Sequence, residues 1–112
     1  MKGTNLGEFE ELVLLTTIML QQDAYILRVQ EELKSQANRN TSMGALHATL
    51  ARLENKGFLK SELAGATKER GGRRKRIYEV TAAGKNVLTE SRQLRDNLWN
   101  QIPKYALELI RI

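Results

Sequence analysis

Apolar residues recur at helical spacing in four stretches of this chain and at strand-like spacing in two shorter ones. The first helical stretch opens at Glu8. Its face of Phe9, Leu12, Val13, Leu15, Thr16, Met19 and Leu20 is broad enough to be covered from more than one side, by its own domain and by a second chain. Glu8, Glu10 and Glu11 fall in the first turn, where carboxylates favour the positive end of the helix dipole. Gln21-Gln22-Asp23 interrupts the pattern, and Asp23 is expected to cap a second helix from Ala24 to about Gln36 with Tyr25, Ile26, Val29 and Leu33 inward. After the turn Asn38-Arg39-Asn40, a third helix carries Met43, Leu46, Leu50 and Leu53 as one buried stripe. Thr41 or Ser42 can cap its start, and Asn55-Lys56-Gly57 supplies a cation and then a glycine for left-handed termination.

Phe58 to Leu63 alternates loosely between apolar and polar residues, Ala64-Gly65-Ala66-Thr67 breaks that pattern, and Ile77-Tyr78-Glu79-Val80 is a second β-prone run. Thr81 is the expected cap of a long final helix. Along it, Val87, Leu88, Leu94, Leu98, Ile102, Tyr105 and Leu109 step by threes and fours like one stripe of a coiled coil, widened by Trp99 and Ile110. Pro103 should kink or end that helix near Ile102. Three helices, a hairpin and a long last helix give an α+β, mostly helical chain with the ground plan of a winged helix-turn-helix. Residues 1–81 are expected to form the binding domain and residues 82–112 a dimerisation helix, within one structural unit. The three-helix unit and hairpin already close a small core, so the last stripe calls for a second copy of the chain, unless it folds back on the first helix.

Composition narrows the choice. The chain has 112 residues, a net charge of +5 and a pI near 9.7, which suits nucleic acid without requiring it. With no cysteine and one histidine, disulfides, thiolate chemistry and a structural zinc site are not expected. His47 stands without the partners of a triad or a paired-acid site, so neither an enzyme nor a cofactor is expected. Leu12 to Leu20 is too short to span a bilayer and follows acids, not a basic flank, so a cytoplasmic protein without a membrane partner is expected.

The chemistry gathers in the third helix and the loop between the strands. Opposite its apolar stripe, that helix carries Ser42, Ala45, His47, Ala48, Thr49 and Arg52, a thin polar face suited to a DNA major groove. In the loop, Lys68, Arg70, Arg73, Arg74, Lys75 and Arg76 are opposed only by Glu69 and flank Gly71-Gly72, so an anionic partner would relieve their repulsion. An RNA-binding winged helix would use the same arginines, but the narrow major groove of A-form RNA excludes the helix. A winged helix used only for protein contacts is the remaining alternative, and it gives the polar helix face no role.

In this order the segments resemble the PadR family of bacterial transcriptional regulators. The matching runs are Leu6-Gly7-Glu8-Phe9-Glu10-Glu11-Leu12-Val13-Leu14, Ser42-Met43-Gly44-Ala45-Leu46 and Leu50-Ala51-Arg52-Leu53-Glu54-Asn55-Lys56-Gly57. Glu69-Arg70-Gly71-Gly72-Arg73-Arg74-Lys75 and Tyr78-Glu79-Val80-Thr81-Ala82-Ala83-Gly84 follow. The single final helix is similar to the compact subgroup. The resemblance implies a homodimeric repressor of double-stranded DNA, in some members released by a small-molecule effector, and two-fold symmetry then predicts an inverted repeat. Carried onto this sequence, it implies DNA contacts from Tyr25, Thr41, Ser42, Gly44, Ala45, His47, Thr49 and Arg52 and from the wing residues Arg70, Arg73, Arg74 and Lys75. Dimer contacts are expected from Phe9, Leu12, Leu94, Leu98, Trp99, Ile102, Tyr105 and Leu109. Trp99 and Tyr105, with Phe9 nearby, are the expected ligand-lining aromatics, although aromatics on an apolar stripe also serve as core. Two positions depart from the family pattern: His47 stands where Tyr is common, which makes that contact pH-sensitive, and Ile26 follows Tyr25 where Gly is favoured.

Overall fold

The computed structural model describes residues 6–64 and 75–108. Its elements are α1 (Glu8–Leu20), α2 (Ile26–Ala37), α3 (Met43–Asn55), β1 (Leu59–Leu63), β2 (Arg76–Val80) and α4 (Ala82–Asn100). Short 3-10 turns occupy Gln21–Asp23 and Lys104–Leu107. This is the mostly helical winged architecture that the apolar periodicity predicts.

Fully buried Val13, Leu14, Val29, Leu33, Leu46, Leu50 and Leu53 come one face each from α1, α2 and α3. Phe58, Leu59, Tyr78, Val80, Val87 and Leu88 extend that cluster under the sheet and the start of α4. The hairpin pairs antiparallel from Leu59 opposite Val80 to Leu63 opposite Arg76. One further hydrogen bond, Ala64 N–H to the Lys75 carbonyl at 2.7 Å, continues the ladder beyond the paired strands.

The start of α2 differs from expectation. Asp23 lies in the 3-10 turn, and the N-cap is Tyr25, in extended conformation. The cause is tertiary: Tyr78 donates its backbone N–H to the Ala24 carbonyl at 2.9 Å, and Tyr25 bridges to Ile77. The segment before α2 thus lies along β2, and the helix begins only after it.

The junction after α3 is tied by local chemistry. Gly57 adopts φ +84°, the left-handed region in which glycine carries no Cβ penalty. Thr81 donates to the Gly57 carbonyl at 2.6 Å and accepts from the Gly84 amide at 3.1 Å, so one side chain caps α4 and fastens it to the end of α3. Gly84 is itself a close-approach site, because a Cβ there would stand 2.4 Å from the Phe58 carbonyl oxygen.

Helix α4 begins in the core with Gly84, Val87 and Leu88 and then leaves it. It ends at Asn100, three residues before Pro103, as the proline predicts. Tyr105 lies in the 3-10 turn beyond the break, so it does not extend the stripe of α4; Leu109 lies outside the described residues. Among the described residues, no helix is long and apolar enough to cross a membrane.

Candidate nucleic-acid interface

Ser42 caps α3, its Oγ accepting from the Ala45 amide at 3.1 Å. The turn before it is pinned where Gln30 Nε2 donates to the Thr41 carbonyl at 2.8 Å. The apolar stripe of α3 is sealed against α1 and α2, which leaves Gly44, Ala45, His47, Ala48 and Ala51 on the outer face, all exposed. Gly44 has open space where a Cβ would stand. The outward surface is therefore flat and nearly free of side-chain bulk. Ala48, expected on this face from the sequence, and Ala51, which was not, lie at its centre, and both contribute the absence of bulk.

Thr49 does not belong to that surface. It is only 4% exposed, and its Oγ1 accepts from Arg52 Nη2 at 3.3 Å, so its expected DNA contact is withdrawn. Its position at the edge of the leucine stripe turns it inward.

Arg52 is half exposed and bound from the side. Its Nε donates to Glu10 Oε2 at 2.9 Å, and Lys56 Nζ donates to both Glu10 oxygens at 3.0 Å. Glu10, at 6% exposure, also accepts the Gly7 amide at 2.9 Å, so one carboxylate closes the start of α1 and ties α1 to the end of α3. Burial pushes the Glu10 carboxyl pKa up. The Gly7 amide, Arg52 and Lys56 together outweigh that push and hold it below the ordinary 4.5.

At the hairpin base, Lys75 Nζ stands 4.1 Å from the centre of the Tyr25 ring, a cation–π contact that docks the wing on the start of α2. Arg76 donates to Ser61 Oγ at 3.1 Å, and Ser61 donates to Glu54 at 2.9 Å, which joins the hairpin to α3. Arg70, Arg73 and Arg74 lie outside the described residues. Their charge is nonetheless informative. Residues 68–76 hold six cations against one anion, and the remainder of the chain has twelve of each, so this segment accounts for the whole net charge of +5.

A second surface lies along α1 and α4. Leu94, Leu98 and Trp99 are about 60% exposed, at 61, 59 and 59%. Leu15, Ile18 and Trp99 line a groove between the two helices, with Arg95 bound to Glu11 at 3.2 Å. Phe9 and Leu12 do not form the open face of α1. Both pack against the chain's own core, and Arg39 stacks over the Phe9 ring at 5.9 Å. The unpartnered apolar residues of α1 are Leu15, Ile18 and Met19.

The family model described as "Transcriptional regulator PadR-like family" matches residues 14–90. Among solved structures, a PadR-like transcription factor from Bacteroides fragilis aligns with a TM-score of 0.66 and 25% identity, covering 82% of this chain and 84% of that one. A PadR family transcription regulator from Clostridium difficile R20291 aligns with a TM-score of 0.62 and 26% identity, over 81% and 95%. A PadR-like regulator from Bacillus cereus shares the fold with a TM-score of 0.68 at 19% identity, over 90% and 93%. No curated protein matches the chain.

Proposed function

The chain belongs to the PadR-like family of transcriptional regulators, and from that premise we propose that it is a repressor that binds an inverted-repeat operator as a homodimer. The observation that carries this reading is the pairing of a bare helical face with the segment that holds the entire net charge. In each protomer α3 enters a major groove with Ser42, Gly44, Ala45 and His47 closest to the DNA, while Tyr25 and Thr41 flank it. Arg70, Arg73, Arg74 and Lys75 neutralise the adjoining backbone. Residues 1–81 act as the DNA-binding unit and residues 82–112 as the dimerisation unit. The exposed Leu94, Leu98 and Trp99 of α4, with Ile102 just beyond its end, meet their copies and the Leu15 and Ile18 face of α1 about a two-fold axis. Trp99 and Tyr105 are the aromatic groups that a small-molecule effector would meet at that interface.

The test is binding to the duplex upstream of the protein's own gene and to a scrambled duplex, titrated over salt, with oligomeric state followed by light scattering. A dimer that prefers the upstream duplex with a steep salt slope supports the repressor. Charge reversal by Arg73→Glu with Arg74→Glu should abolish duplex binding and leave the dimer intact. A dimer that binds no duplex would overturn the reading in favour of protein contacts.

A further inference from the structure

We propose that Glu10 is a positioning residue for operator discrimination, holding Arg52 and Lys56 off the DNA phosphates so that the base-reading helix adds little sequence-independent attraction. The inference rests on the duplex-DNA reading above and concerns what that reading leaves open, namely why the cations at the end of α3 are bound to a buried carboxylate.

Arg52 lies on α3 and Lys56 at its C-cap, and both donate to the same buried carboxylate at 2.9 to 3.0 Å. Arg52 turns a second nitrogen onto Thr49 of its own helix. Glu54, the remaining ion of α3, accepts from Ser61. Besides the bound Arg52 and the terminal Asn55, what α3 turns outward is Gly44, Ala45, His47, Ala48 and Ala51. Arg52 is not remote from solvent, since its side chain is 52% exposed, so it is close enough to the surface to meet a phosphate once released.

A phosphate contact strengthens binding to every sequence alike, whereas base-edge contacts strengthen one sequence over another. Cations freed on α3 would add to operator and non-operator binding together, and the ratio between them would fall as misdocked complexes gained affinity. A carboxylate held below its ordinary pKa and reached by four N–H donor contacts keeps both cations in place. A plain structural brace would use the same contacts, but its loss would change stability and not the number of phosphates neutralised.

Glu10→Gln separates these roles, because it keeps the shape of the side chain and removes its charge. Each added phosphate contact steepens the plot of log binding constant against log salt by about 0.9. The variant should therefore steepen the wild-type slope by about 1 to 2 on upstream and scrambled duplexes alike, with tighter binding to the scrambled one. Adding Arg52→Gln and Lys56→Gln to Glu10→Gln should return the slope to its wild-type value. An unchanged or shallower slope in Glu10→Gln, with binding retained, would overturn the proposal. If Glu10→Gln fails to fold, Arg52→Gln alone should leave the wild-type slope intact, and a slope shallower by about 0.9 would show that Arg52 already sits on a phosphate. A wild-type dimer that binds no duplex overturns the DNA reading itself, a result read before any variant is made.

Discussion

Helix α3 and the hairpin after it meet at Gly57 and are built from opposite materials. The helix is fixed on all sides but one: its leucines are fully buried, its cap is satisfied, and its end is fastened to α1 through Glu10 and to α4 through Thr81. Its outer face is small, and Arg52, the cation at its edge, is bound to Glu10. The hairpin has a short ladder, a Lys75–Tyr25 contact at its base, and a connecting segment that holds the net charge of the chain. Rigid, uncharged surface suits discrimination between base sequences, where a displacement of an ångström loses a contact. Concentrated charge suits affinity, which tolerates variable geometry because Coulomb attraction falls slowly with distance. In the proposed complex with DNA, the chain divides the two tasks between neighbouring segments.

Neutralising the hairpin tests that division most strongly. Arg73→Gln with Arg74→Gln should weaken binding to operator and scrambled duplex by a similar factor, roughly 30-fold at 0.15 M salt if two phosphate contacts are lost. A competition assay should find their ratio preserved. A ratio that collapses would mean that the wing reads sequence. The complementary change is Ala48→Leu at the centre of the outer face of α3, where the added bulk would meet the groove of the proposed complex. It should lower the operator-to-scrambled ratio by about tenfold, the scale of one mismatched base contact, and leave the salt slope unchanged. The smallest effect concerns the brace beneath the helix. The folded-state pKa of Glu10 is depressed, so its stabilising contribution is complete above the unfolded value near 4.5 and is lost as pH falls through the lower folded one. Thermal melts from pH 6 to pH 3 should therefore lose part of their acid dependence in Glu10→Gln, with the wild-type and variant curves converging at the acid end.

Much of this division is legible in the sequence, because it depends on local pattern. The stripe Leu46, Leu50, Leu53, the caps Ser42 and Thr81, the terminating Gly57 and the break before Pro103 all follow from spacing and residue chemistry within a few positions. The features that escape it are those set by distant partners. Asp23 has the chemistry of a cap, but pairing of Ala24 and Tyr25 with β2 draws that segment into extended form and moves the helix start beyond it. Thr49 has a polar atom and a position beside the stripe, and only the packed neighbours decide which of the two prevails. Glu10 looks like one more first-turn acid. Its bond to Arg52 spans 42 residues and that to Lys56 spans 46, so no local window contains the cluster. The face of α1 was legible in breadth but not in allocation: Phe9 and Leu12 pack inward, and Leu15, Ile18 and Met19 remain outside.

In the proposed dimer, the close approach at Gly84 bears on how far apart two operator half-sites can lie. With the Phe58 carbonyl where a side chain would otherwise stand, the start of α4 is pressed to the hairpin root, while its last turns extend into solvent. A helix of 19 residues is about 28 Å long, so a tilt of about 5° at this pivot swings the far end by roughly 2 Å. In the proposed dimer that far end belongs to the interface and the near end to the reading head. On that reading the glycine acts as the fulcrum of a lever, and the volume of one missing methyl group bears on the span across which two reading heads would grasp the same face of the double helix.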